Sequence, residues 1–66
     1  MSDRIDRALN RLRTVFIQIP GVRLSLAEAA RLTELETHLC QVLLSALEDM
    51  NFLRQEDGVY QRQPNE

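Results

Sequence analysis

The 66-residue sequence lacks lysine and tryptophan and contains one cysteine, two glycines and two prolines. The single Cys40 cannot form an intrachain disulfide, so the fold must depend on packing. With 44% hydrophobic and 27% charged residues, the composition is typical of a helical globular domain and excludes disorder. No apolar run approaches the roughly 20 residues that a membrane span requires, and no apolar signal segment follows Met1. We therefore expect one cytoplasmic domain over residues 1–66.

The sequence also lacks the residue sets that catalysis and metal binding require. The only histidine, His38, is separated from Cys40 by one residue, which places the two side chains on different faces of a helix. There is no Gly-Xaa-Ser-Xaa-Gly motif and no glycine-rich phosphate loop. We expect no enzyme, no metal and no cofactor, and a buried Cys40 rather than a redox sensor.

Charge is distributed unevenly between the two parts of the chain. Residues 1–23 contain five arginines and two aspartates, a net charge of +3, whereas residues 24–66 contain three arginines and eight acids, a net charge of −5. A domain of this size buries only about 60% of its unfolded surface, so self-association would add stability.

Apolar periodicity predicts a first helix over residues 3–19, ended by Pro20-Gly21. Its apolar residues share an arc of roughly 120° at 100° per residue, the width expected for one face on a core. That face contains Ile5, Ala8, Leu9, Leu12, Val15, Phe16 and Ile19. Ile17 lies outside the arc and is a candidate for a dimer interface through this helix.

The remaining sequence predicts a helix-turn-helix over residues 25–50 and a hairpin over residues 52–62. Ser25 to Glu28 matches a capping box at the start of helix two, and residues 22–24 are a candidate third strand. Asn51 is suited to the left-handed residue that ends helix three, and Asp57-Gly58 to the tight turn of the hairpin. The fold class is therefore mainly α with a small β-hairpin, a winged helix-turn-helix.

Helix three is predicted to bury one apolar face and to expose the opposite face. The predicted buried residues are Leu39, Cys40, Leu43, Ala46, Leu47 and Met50. Val42 and Leu44 flank the polar face, where they are further candidates for a dimer or partner interface.

Several short segments carry a family resemblance. They are Ser25-Leu26-Ala27-Glu28, Ala30, Leu35, Val42-Leu43-Leu44, Ala46-Leu47-Glu48 and Phe52-Leu53. Through them the ungapped segment 25–53 resembles the amino-terminal winged-helix domains of bacterial regulators of the IclR and MarR type. The resemblance implies a DNA-binding transcriptional regulator with helix three in the major groove. It also implies base-facing roles for Thr37, His38, Gln41, Val42 and Ser45, and phosphate contacts from Arg54 and Arg62 on the wing.

The same segment departs from that pattern at the turn and in its charge. Glu34 stands where such domains commonly have glycine, and Glu36 occupies the N-cap of helix three, where glutamate is a poor cap. Residues 33–50 contain four acids and no arginine or lysine, although phosphate neutralisation supplies most sequence-independent DNA affinity. Two hypotheses follow: a homodimeric DNA-binding regulator, or a winged-helix module that has lost DNA binding and docks a protein partner.

Overall fold

A computed structural model describes residues 3–63 as three helices and one three-stranded sheet. The helices are α1 (Asp3–Gln18), α2 (Leu26–Thr33) and α3 (Thr37–Asp49), and the strands are β1 (Arg23–Ser25), β2 (Leu53–Glu56) and β3 (Val59–Arg62). The sheet is antiparallel with β3 between β1 and β2. This is the predicted winged helix-turn-helix fold, and β1 is the candidate third strand. Within the described range, no helix has the length and apolar content needed to cross a membrane.

Local hydrogen bonds explain where α2 begins and ends. The Ser25 hydroxyl accepts from the Glu28 amide at 3.2 Å, and the Glu28 carboxylate accepts from the Ser25 amide at 2.9 Å, which is the predicted capping box. At the other end Glu34 is left-handed, with φ 58°, and the Leu35 amide donates to the Ala30 carbonyl at 3.1 Å. This Schellman-type turn directs the chain into α3.

The chain leaves α3 through a second turn of the same kind. Asn51 has φ 62°, as predicted, and the Phe52 amide donates to the Leu47 carbonyl at 3.0 Å. The hairpin then turns at Asp57 (φ 57°) and Gly58 (φ 77°), and two consecutive positive φ values define the type I′ turn that suits twisted strands. Local sequence therefore determines where α3 ends and where the hairpin turns.

The core lies between the three helices and the inner face of the sheet. Its buried apolar residues are Ala8, Leu12, Phe16, Leu24, Ala29, Ala30, Cys40, Leu43, Leu44, Leu47, Leu53 and Tyr60. The one buried polar residue in the described range, Thr33, donates its hydroxyl to the Ala29 carbonyl at 2.7 Å. Its hydrogen-bonding requirement is therefore met inside α2.

Two predicted apolar faces were wrong in part. On α3, Leu44 is completely buried and Met50 is 57% exposed, because α3 packs against α1, α2 and β2 along Cys40, Leu43, Leu44 and Leu47. Leu44 is therefore not available to a partner. Ile5 of α1 is 42% exposed, since the fully buried residues of this helix are Ala8, Leu12 and Phe16, and Ile19, which follows the end of α1, is 49% exposed.

Candidate nucleic-acid interface

The outer face of α3 presents all five predicted base-facing residues to solvent. Thr37, His38, Gln41, Val42 and Ser45 are exposed, and Val42 has half of its side chain accessible. At about 1.5 Å per residue they extend over roughly 12 Å of helix axis, comparable to the width of the DNA major groove. None of their side chains forms a hydrogen bond to another described residue. The fold therefore leaves this face free to contact a ligand.

The amino end of α3 is capped by an acid. The Glu36 carboxylate accepts a hydrogen bond from the Leu39 amide at 3.1 Å, so the expectation that glutamate would cap this helix poorly was wrong. The long side chain reaches an amide that serine or aspartate usually satisfies, and it places its negative charge at the positive end of the helix dipole. Glu34, also exposed, lies two residues before it. A phosphate approaching this helix end would meet two carboxylates.

The two predicted wing arginines are exposed, but both contact groups of their own chain. Arg54 Nη2 lies 3.3 Å from Glu56 Oε1, and Gln61 Nε2 donates to the same oxygen at 3.1 Å. The Arg62 guanidinium lies 4.9 Å from the centre of the Phe52 ring. Arg62 pairs with Leu53, at the end of the hairpin opposite the Asp57-Gly58 turn. The structure therefore does not bring Arg62 to the tip of the wing.

One arginine of α1 connects two helices. Arg11 Nη1 donates to the Thr33 carbonyl at 3.0 Å, across 22 residues of sequence. A guanidinium at the carboxyl end of α2 also interacts favourably with the helix dipole. Arg11 therefore joins α1 to the turn that precedes α3, which the sequence alone did not indicate.

The single cysteine is buried beneath this interface. Burial raises the pKa of the Cys40 thiol above its ordinary value of 9.0, and a hydrogen bond with Thr33 acts in the opposite direction. Its thiolate is therefore scarce at neutral pH, which disfavours redox chemistry. Within residues 3–63, no group of three or more His, Cys, Asp or Glu side chains is placed to hold a metal ion.

The architecture is similar to that of a crystal structure assigned as an IclR transcriptional regulator from Silicibacter sp. TM1040. The TM-score is 0.72 over 86% of this chain, and 19% of the aligned residues are identical. The chain covers 23% of the length of that protein. No protein-family model matches the chain, and no curated protein matches it in sequence. The similarity in structure establishes the winged-helix fold.

Proposed function

We propose that this chain binds duplex DNA as a small transcriptional regulator or accessory factor, with α3 in the major groove and the wing along the backbone. The observation that carries the proposal is the exposed polar face of α3 in a winged-helix frame, which the fold itself does not use. The similarity in fold to an IclR regulator supports the same role. A cytoplasmic location accords with it, as does a homodimer that would present two copies of α3.

Within this proposal, Gln41 reads bases and Arg54 contacts phosphate. The Gln41 amide donates and accepts together, which suits the edge of adenine in the major groove. Arg54 is held near Glu56 in the free chain, so it must exchange its contact with Glu56 for one with phosphate. This exchange costs little, because an exposed ion pair contributes little to stability. His38 and Ser45 lie beside Gln41 on the same helix and extend the contact surface.

The test is fluorescence anisotropy of a labelled random duplex as salt is raised from low to physiological concentration. Binding through phosphates makes the logarithm of the affinity fall with the logarithm of salt, by about 0.9 for each phosphate neutralised. Gln41→Ala should change the sites selected from a random pool, whereas Arg54→Ala should weaken all sequences similarly. Gln18→Ala, on α1, is the matched control for Gln41→Ala. Affinity that does not respond to salt, or the absence of binding at low salt, would contradict the proposal.

A second candidate function is favoured by the acids at the amino end of α3. Glu34 and Glu36 are both exposed at this helix end, and two carboxylates there suit a basic protein partner better than a phosphate backbone. The double substitution Glu34→Gln and Glu36→Gln distinguishes the two functions, and glutamine keeps the oxygen that caps α3. DNA binding should become tighter because repulsion is removed, whereas a complex with a basic partner should become weaker.

A further inference from the structure

A shallow apolar groove lies between α1, the carboxyl end of α3 and the start of β2. Leu9, Arg13, Leu47, Met50 and Phe52 line a volume of about 380 Å³. Leu47 is completely buried beneath the groove, so its accessible apolar surface comes from Leu9 and Phe52, which are half-buried, and from Met50, which is 57% exposed. An unbranched methionine adapts to differently shaped apolar partners, as it does on other protein-binding surfaces.

Arg13 lines this groove, and Arg62 contacts the Phe52 ring that also lines it, so two guanidinium groups lie close to the groove. The Arg13 guanidinium lies 5.6 Å from the centre of the Phe52 ring and that of Arg62 lies 4.9 Å from it. The one ion pair among residues 3–63 is Arg54 with Glu56, so neither Arg13 nor Arg62 is neutralised by a described carboxylate. The aromatic ring holds both cations close to apolar surface.

The groove is remote from the amino end of α3. Met50 follows Thr37 by 13 positions, which places it roughly 20 Å further along the helix axis at 1.5 Å per residue. Arg62 lies at the base of the hairpin, away from its turn. A molecule in the groove would therefore leave the amino-terminal half of α3 accessible.

We propose that this groove docks an acidic amphipathic segment of another protein, with its apolar side chains over Leu9, Met50 and Phe52 and its carboxylates beside Arg13 and Arg62. Charge complementarity identifies this occupant, because an apolar groove beside two guanidinium groups that pair with no carboxylate of residues 3–63 matches apolar residues interspersed with acids. A second copy of the chain matches less well, since a two-fold interface brings the same patch together and opposes the arginines of the two copies. The proposal does not depend on DNA binding.

The probe is a fluorescein-labelled helical peptide with leucine and phenylalanine at i, i+3, i+4 and i+7 and glutamate at the flanking positions. The control peptide has lysine in place of glutamate. The full chain should bind the glutamate peptide about tenfold more tightly than the lysine peptide. Arg13→Gln combined with Arg62→Gln should weaken the glutamate peptide by about two- to thirtyfold, the range expected for two exposed charge pairs. Arg7→Gln, an exposed arginine of α1 outside the groove, should leave it unchanged.

Arg13→Glu alone should shift the preference towards the lysine peptide, and circular dichroism checks that each variant remains folded. Equal affinity for the two peptides would overturn the proposal, as would equal effects of Arg7→Gln and Arg13→Gln. If sedimentation shows that the chain is a dimer and that Met50→Glu converts it into a monomer, the groove binds a second copy, and the proposal is overturned. Duplex binding by Arg13→Gln is measured in parallel. If peptide binding weakens while duplex binding stays the same, the result concerns the groove alone and not the DNA-binding proposal.

Discussion

At the scale of single residues, the backbone conformation of Glu34 is the least favourable feature of the helix-turn-helix. Among residues 3–63, three non-glycine residues have positive φ, namely Glu34, Asn51 and Asp57. Asn and Asp tolerate this region because their short side chains form hydrogen bonds with the local backbone, but glutamate has no such compensation. Glu34 therefore carries a conformational cost that a glycine at the same turn would avoid.

We expect Glu34→Gly to raise the free energy of unfolding by about 0.5–1 kcal/mol, since the relief of left-handed strain exceeds the entropy that glycine gains in the unfolded chain. Urea denaturation followed by circular dichroism measures this difference. The matched control is Glu34→Gln, which removes the same charge but keeps the strained backbone. If glutamine stabilises as much as glycine, charge rather than conformation explains the effect.

At the scale of elements, features set by local sequence were predictable except for the Glu36 cap of α3, and features set by packing were not. The capping box at Ser25, the left-handed Asn51 and the Asp57-Gly58 turn depend on neighbouring residues, and the structure confirms each. The buried face of α3 depends on its partners. Two overlapping stripes of this helix are apolar, and only the positions of α1, α2 and β2 select the stripe that buries Leu44 and exposes Met50.

The candidate interface likewise has features that the sequence predicted and features that it did not. The exposure of Thr37, His38, Gln41 and Ser45 was predictable because these polar residues lie opposite the predicted apolar stripe of α3. The surroundings of the arginines were not predictable. Arg11 reaches the Thr33 carbonyl across 22 residues of sequence, and such distant contacts leave no periodic signal in a single chain.

We expect Arg11→Ala to lower the free energy of unfolding by about 1 kcal/mol, because it removes the link between α1 and the carboxyl end of α2. Charged hydrogen bonds contribute about 1.5–3 kcal/mol, and partial exposure of this one reduces its contribution. Thermal and urea unfolding monitored by circular dichroism measure the change. Arg7→Ala, one turn earlier on α1, should alter stability by less than about 0.5 kcal/mol. Equal losses in the two variants would show that the loss of positive charge, not the contact with Thr33, matters.

At the scale of the whole molecule, size limits the stability of the chain and, under the proposed function, the length of duplex that one copy could contact. The chain measures 34 × 22 × 20 Å, and its longest dimension is close to the roughly 34 Å that separates half-sites one helical turn apart. A single copy can place one α3 in one groove, so recognition of two half-sites requires two copies. A dimer would also bury apolar surface that so small a domain leaves exposed.

We predict that this dimer forms through α1, where the exposed isoleucines lie. Ile17, in the last turn of α1, and Ile19, just after the helix, are 50% and 49% exposed, and a two-fold interface centred there would cover both in each copy. Ile17→Glu should therefore shift sedimentation equilibrium towards the monomer, because it places two carboxylates in an apolar contact. Leu32→Glu, which changes a leucine of α2 that is 58% exposed, should leave the equilibrium unchanged. A chain that stays monomeric at all concentrations, or equal effects of the two substitutions, would exclude an interface on α1, and two-site recognition would then require DNA itself to bring two copies together.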